Sequence, residues 1–333
     1  MTKVLTILAI LLSTMTISAK VIIKDGGEIV TVPVKTTMGP ITHIVAQSMI
    51  DIDYSDAPMC KAQLTGSENL IKYVVVRYNN GVLTVEYDDQ IEMQGNNSMK
   101  LVISAPDVRI FETKSLGSIS IQNSLDRKGK NVKIITNSIG NVTGLNINAE
   151  QVKLTTNSIG NIKVGDIKAS EVTVSDQSLG AITVENILSP SVRLSTSSNG
   201  SVSTNKIVCD RLDVSLSSLG NITVKAANCK TLNATSSSLG NIKISDITAT
   251  NVVARSGSNG DIVMSGVCES AELSASGLSS IIASDLKAKN VEATTSSIMA
   301  GISCHATKQL IEKKHSRSTI RNYAKAKSVV EID

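Results

Sequence analysis

Seven copies of one short pattern, Ser-[Ile/Leu/Asn]-Gly-x-[Ile/Val], begin at Ser138, Ser158, Ser178, Ser198, Ser218, Ser238 and Ser258, each 20 residues after the one before. An eighth, Ser115-Leu116-Gly117, precedes them in a unit three residues longer, and degenerate units follow through Gly301. A fixed period of this kind means one supersecondary unit stacked on copies of itself. Apolar residues recur in phase with it. One column runs Val142, Ile162, Ile182, Val202, Ile222, Ile242, Ile262, and a second runs Ile147, Ile167, Ile187, Ile207, Ala227, Ile247, Val267. A third column (Val152, Val172, Val192, Leu212, Leu232, Val252) is followed two residues on by a fourth (Leu154, Val174, Leu194, Val214, Ala234, Ala254). Spacing of two within a unit, as in Glu171-Val172-Thr173-Val174, is strand periodicity.

Helical repeats do not suit these units, which are built of Asn, Ser, Thr, Val and Gly, all poor helix formers. Leucine-rich repeats fit the length but need a Leu-x-x-Leu-x-Leu frame that is missing. The remaining expectation is an all-β fold, a parallel β-helix that is a single-stranded solenoid. Each coil carries about three short strands, paired in parallel with their equivalents about 4.8 Å away, aliphatics inside and polar residues outside. About nine coils give a rod about 40–45 Å long. Gly at the end of the motif suits a corner with φ > 0 or a tight bend. The Ser two residues earlier is expected to hydrogen-bond its local backbone there. Both ends of the stack need caps.

Hydrophobic residues make up 41% of the 333, enough for a core, yet aromatics are only 2%: no Trp, Phe111, and five Tyr of which only Tyr323 lies beyond residue 111. The core must therefore be filled by Ile, Val, Leu and Ala. The scarcity of rings argues against a compact enzyme with an aromatic cleft. The net charge of +4 resides in residues 305–333, with seven basic and three acidic residues, so the rest is neutral. Nucleic acid is not an expected partner, because the body has neither a basic stripe nor stacking aromatics.

Residues 1–19 read as a signal peptide: Lys3, then the apolar run Val4 to Leu12, then the small pair Ser18-Ala19. The run is shorter than the roughly 20 residues of a membrane span, and no later stretch reads as a transmembrane segment. No Cys precedes Cys60, so no lipid-attachment Cys follows the cleavage point. The expected location is the periplasm or the cell exterior, including the cell surface. Five Cys is an odd number for an exported chain.

Residues 20–116 have a different texture and are expected to form an N-terminal β cap with the first irregular turns. Tyr73 to Tyr87 reads as a hairpin turning at Asn79-Asn80-Gly81, and Lys100 to Ser104 as a further strand. Residues 117–304 are the β-helix repeats. Residues 305–333 are the only helix-compatible stretch, expected as a basic C-terminal cap or a mobile tail.

Gly39-Pro40-Ile41-Thr42-His43-Ile44, Thr65-Gly66-Ser67-Glu68-Asn69-Leu70, Asn80-Gly81-Val82-Leu83-Thr84-Val85 and Leu101-Val102-Ile103-Ser104-Ala105-Pro106 occur in that order. They resemble the opening of the head GIN domain of putative autotransporter adhesins, and the Ser-x-Gly-x-Ile turns resemble its later part. The resemblance spans residues 39–304. It implies a right-handed parallel β-helix in an exported bacterial protein. The basic tail and the strictness of the period have no counterpart in it.

No catalytic, cofactor-binding or metal residue is assigned. The three His, His43, His305 and His315, are too scattered for a triad or a metal site, and a nucleophilic Ser would need an adjacent base. Asp166 and Asp246 share a phase but lie four coils, about 19 Å, apart, and Asp210 and Asp213 flank Arg211 on a solvated surface. The Asn column (Asn141, Asn161, Asn221, Asn241, with Asp261) reads as an amide ladder rather than a calcium site. Cys209 and Cys229 share one phase, in which a stacked pair of thiols is preferred to a disulfide. The loop Asp126-Arg127-Lys128-Gly129-Lys130 is expected to hold the three-residue insertion and to protrude as a basic knob. The tail residues Lys308, Lys313, Lys314, Arg317, Arg321, Lys325 and Lys327 could meet an anionic envelope surface.

The functional expectation is an exported, non-enzymatic structural or binding protein of the cell envelope. It would be adhesin-like, presenting a rod rich in Ser, Thr and Asn to an unknown glycan or envelope protein. The rival is a carbohydrate-active enzyme of lyase or glycosidase type, which two facing carboxylates in a groove would favour.

Overall fold

A computed structural model describes residues 20–332 apart from 25, 96–98 and 316. The signal-peptide reading of 1–19 lies outside the described residues. The chain is 65% strand and forms a β-solenoid of about 11 coils. Its only helix among the described residues is the four-residue Glu68–Ile71. Three parallel ladders run along the rod. In the first, Val142 pairs with Ile162, Ile162 with Ile182, and so on through Ile302 to Ile320. In the second, Leu125, Ile147, Ile167, Ile187, Ile207 and Ala227 stack in turn. In the third, Val132, Val152, Val172, Val192 and Leu212 continue through Leu310 to Val329. The inward aliphatics of all three make one continuous core.

The coil closes more tightly than the motif alone suggests. The N–H of Gly160 donates to the main-chain carbonyl of Ser138 at 2.8 Å, and the same bond joins Gly180 to Ser158 and Gly200 to Ser178. The corner is thus held by the backbone of the Ser and not by its hydroxyl. The hydroxyls that do bond at the corner come from the buried interior: Thr113 to the carbonyl of Gly140 and Thr136 to that of Gly160. The corner glycines do not have positive φ. They are Gly because a Cβ at Gly160 would sit 2.2 Å from the carbonyl oxygen of Gly140. The residue between Ser and Gly points to solvent instead. Leu116, Ile139, Ile159, Leu179, Leu219 and Leu239 all stand half exposed in one file.

Several expectations change. The second apolar column does not continue to Val267: Ile247 pairs with Gly266 (φ +130°), and Val267 faces outward. The unit holding it is one residue short. A slip of one residue in a strand moves a side chain to the other face. The three-residue insertion is divided, with one extra residue before Leu125 and two in the bulge between Arg127 and Asn131. Among the described residues of 305–332 there is no helix. Gly301–Lys313, Thr319–Asn322 and Ser328–Ile332 are strands that extend the same ladders. The open edge of the preceding coil supplies their hydrogen bonds, and Leu310 and Ile320 are buried on it. That template outweighs the weak helical preference of the segment.

The N-terminal end is not sequential. The coil containing His43–Ala46 and Asp51–Asp56 lies between two others. On one side are Val82–Tyr87 and Lys100–Ala105, and on the other Ile110–Thr113 and Ile119–Ile121. Beyond it, the antiparallel strands Val74–Asn79, Lys61–Ser67 and Ile29–Pro33 close the stack. The hairpin turns through Asn80 and Gly81, both at positive φ. These coils and the C-terminal one explain why the rod has more turns than the repeats by themselves.

One interior position is out of character. In the third ladder Thr136, Thr156, Asp176 and Thr196 stack in line, all fully buried. Thr156 donates to Oδ1 of Asp176, while Oδ2 has no hydrogen-bond partner among the described residues. Burial pushes this carboxyl above the usual carboxylate range, against the pull of the Thr156 hydroxyl and the Ser178 N–H. A carboxyl raised in this way contributes stability below its unfolded pKa, about 3.9, and that stability is lost as pH rises through the folded value. Asp176→Thr is therefore expected to stabilise the protein at pH 7 by about 1–3 kcal/mol, the cost of an unpaired buried polar atom. The gain should shrink on acidification toward pH 4. Urea unfolding at the two pH values measures it, and a variant less stable than wild type at pH 7 refutes the account.

Candidate functional site

The outward side of the second ladder carries a groove. Two neighbouring columns define it. Ser124, Asn146, Asp166, Asn186 and Lys206 form one, and Asp126, Asn148, Lys168, Leu188 and Val208 the other. Alternation puts them there: between the two columns, Ile147, Ile167 and Ile187 send their side chains into the core and leave their main chain as the floor. The hollow measures about 580 Å³. It adjoins a second of about 560 Å³ that runs over the next corner, past Ala149, Ala169, Ser189, Pro190 and Cys209, with Lys128 at one end. These volumes suit a small ligand or one arm of a larger one.

Its chemistry is that of a polar surface of mixed charge, with Lys168 and Lys206 set against Asp126 and Asp166, three Asn amides and one apolar step. Lys168 is exposed, and Leu188 stands half exposed next to it in the same column. The two carboxylates are both exposed and each is engaged: Asn148 donates to Asp126 at 3.0 Å and Asn186 to Asp166 at 2.7 Å. The fully buried carboxyl, Asp176, faces the interior of the coil, out of reach of any bound molecule. Among the described residues no group of His, Cys, Asp and Glu is placed to hold a metal ion.

The other residues singled out in the sequence are distributed around the rod. The Asn column forms a ladder in which Oδ1 of Asn141 accepts from both the N–H and the side-chain amide of Asn161, and Oδ1 of Asn161 accepts from the N–H of Ala181. Arg211 donates to Asp213 at 2.8 Å and Lys230 pairs with Asp210 at 2.8 Å on the surface. Cys209 and Cys229 are free thiols in adjacent coils, Cys209 at the groove and Cys229 buried. Their mutual hydrogen bond, helped by burial, pushes the Cys209 thiol above its ordinary range.

The basic knob is not one. Arg127 is buried and donates to both oxygens of Asp56, at 2.8 and 2.7 Å, and to the carbonyl of Val108 at 3.0 Å. Lys130 reaches Asp107 at 2.7 Å, and only Lys128 leans toward the groove. In the tail, Lys313 pairs with Glu292 and Lys314 with Glu312, while Lys308, Arg317, Arg321, Lys325 and Lys327 are exposed at the last coil.

The sequence matches the family described as putative auto-transporter adhesin, head GIN domain, over residues 41–227, 170–262 and 226–325. The chain belongs to this family. The overlap of the matched stretches reflects the repeat, since a head GIN match can start on more than one coil. Solved structures similar to it include a putative adhesin from Parabacteroides distasonis (14% identity, 93% of this chain and 100% of that one, TM-score 0.46). A putative lipid binding protein from the same organism is 13% identical over 94% of this chain and 100% of that one, with a TM-score of 0.40. A putative adhesin from Bacteroides fragilis is 16% identical over 93% and 100%, with a TM-score of 0.32. No curated protein matches the sequence. Among the described residues no helix is long and apolar enough to cross a membrane.

The groove was not legible in the sequence. Its second column changes from Asp126 through Asn148 and Lys168 to Leu188 and Val208, so it shows no periodic character. The file of Leu and Ile inside the Ser-x-Gly motif did carry a signal, because one apolar type recurs at an outward phase.

Proposed function

We propose that this head GIN protein is an exported adhesin-like binding protein of the cell envelope that holds a glycan or another envelope protein in the lateral groove over residues 124–210. The observation that carries the reading is the groove itself: a main-chain floor between two columns that mix the Asn146, Asn148 and Asn186 amides with Lys168, Lys206, Asp126 and Asp166, and in which Leu188 stands half exposed. Binding is preferred to hydrolysis. A glycosidase needs one carboxyl held protonated near neutral pH opposite a second, and Asp126 and Asp166 are exposed and tied to Asn amides. Export follows from the signal-like residues 1–19, so the mature chain begins at Lys20 and sits in the periplasm or at the cell surface. The exposed cations of the last coil add a salt-sensitive contact with an anionic envelope surface.

Lys168→Glu combined with Leu188→Asp is expected to weaken retention on glycan arrays or envelope fractions at least about tenfold, since few contacts at such a face carry most of the affinity. Lys243→Glu, exposed on the first ladder, should leave it unchanged. Equal retention of all three proteins at unchanged melting temperature refutes the groove assignment. Deleting the tail is a poor test of the basic end, because residues 301–332 lie in the last two coils of the rod. Reversing Arg321 and Lys327 to Glu tests the charge while leaving the strands in place.

A further inference from the structure

We infer that the half-exposed Leu/Ile file at the Ser-x-Gly corner is a self-association surface, and that two copies of this chain pack ridge to ridge with their rods antiparallel. The file runs from Leu116 to Ile298 with a Leu or Ile in eight of ten coils, each about half exposed (47% at Leu116, 57% at Leu179), and Asn in the other two. It stretches about 43 Å at the coil spacing. An apolar strip aligned in this way marks an interaction surface rather than scattered exposure.

Three features select a second copy as its occupant. The first is spacing. A row of side chains about 4.8 Å apart over the length of the rod interdigitates fully only with another row of that spacing. The second is charge. The columns beside the ridge are Asn157, Gln177, Ser197 and Ser217 on one side and Asn161, Ala181, Ser201, Asn221 and Asn241 on the other, with Asp261 the one charge among these and next to the Asn259 break. Depletion of charge at the centre is the compositional mark of an interface core. The third is area. The six half-exposed Leu and Ile side chains that pair in the register set by Asn199 and Asn259, namely Ile159, Leu179, Leu219, Leu239, Leu278 and Ile298, present on the order of 500 Å² of apolar surface. With their polar flanks they approach the roughly 800 Å² per partner of a stable specific contact.

The polar breaks in the ridge set the register. Asn199 and Asn259 occupy ridge positions three coils apart. An amide buried against hydrocarbon is costly, so with the rods antiparallel the register places Asn199 of one copy against Asn259 of the other. Leu219 then meets Leu239 at the centre. The groove lies half a coil away and stays open in both copies, so this inference stands apart from the groove reading.

Sedimentation velocity of the full chain tests it. At about 50 μM a dimer is expected. Leu219→Lys, which sets an unpaired ammonium near the axis twice per dimer, should raise the dissociation constant at least about 100-fold with the melting temperature of the protomer kept. Leu219→Asn is the safeguard against misfolding, because coils at 199 and 259 already carry Asn there. It should weaken the dimer about tenfold. Asn199→Leu alone should weaken association and Asn199→Leu with Asn259→Leu should strengthen it. A monomer at every concentration overturns the inference, as does a dimer indifferent to both Leu219 variants. So does a monomer that floats with phosphatidylcholine vesicles through the same ridge, since that makes the occupant a lipid surface.

Discussion

Gly220→Ala is expected to cost the solenoid about 4 kcal/mol or more, an exceptional loss for one methyl group. The added Cβ would lie 2.1 Å from the carbonyl oxygen of Gly200 and 2.6 Å from that of Ser198. Both are backbone atoms of the neighbouring coil, and both stand in ladders that cannot shift one at a time. Because each coil is stabilised by its neighbours, the strain spreads along the rod. Gly257→Ala is the matched control: its nearest atoms, the Ser236 carbonyl and the Ser276 hydroxyl, are 3.8 Å away. There the change should be neutral or slightly stabilising, through the lower entropy of the unfolded chain. Urea unfolding followed by circular dichroism separates the two. Equal costs at both sites would show that stacking distance is not what selects glycine at the corner.

Arg127→Ala is expected to destabilise the protein by about 3–5 kcal/mol, because it leaves a carboxylate without its buried partner. The guanidinium grips Asp56 in bidentate fashion, bonds Val108 and touches the hydroxyl of Tyr54, whose ring packs edge-on against Phe111 at 5.1 Å. It joins the bulged strand to the N-terminal coils. Arg127 hydrogen bonding holds the Asp56 carboxyl below the usual carboxylate range. The sign follows: a depressed carboxyl contributes stability above its unfolded pKa that disappears as pH falls through the folded value. Wild type should thus lose stability on acidification below about pH 4 in a component that Arg127→Ala lacks. Arg127→Met with Asp56→Leu should lose much less than Arg127→Ala, since an apolar pair of similar size leaves no orphaned charge. A double variant as unstable as the single one would contradict that account.

The misreading of Arg127 shows where a sequence stops informing. Asp126-Arg127-Lys128-Gly129-Lys130 is polar, contains Gly and interrupts the period, which is the signature of a protruding loop. Asp56 lies 71 residues earlier, and nothing local announces that the two meet. The same holds for residues 305–332. Their polar composition gives no strong strand signal, and only the open edge of the coil beneath them makes strands the stable choice. Val267 went astray for a smaller reason: one residue missing from its unit turns an inward column outward.

The 20-residue period determined, by itself, that the chain is a stack of parallel β coils with aliphatic ladders inside and an Asn ladder along one corner. Those features repeat every coil, so each copy restates the same local pattern and errors average out. The tertiary structure alone decided which coil lies at the N-terminal end, what Arg127 is for, and where a groove opens between columns that share no residue type. These depend on contacts made once, between segments far apart in the chain, and a contact made once leaves no period to read.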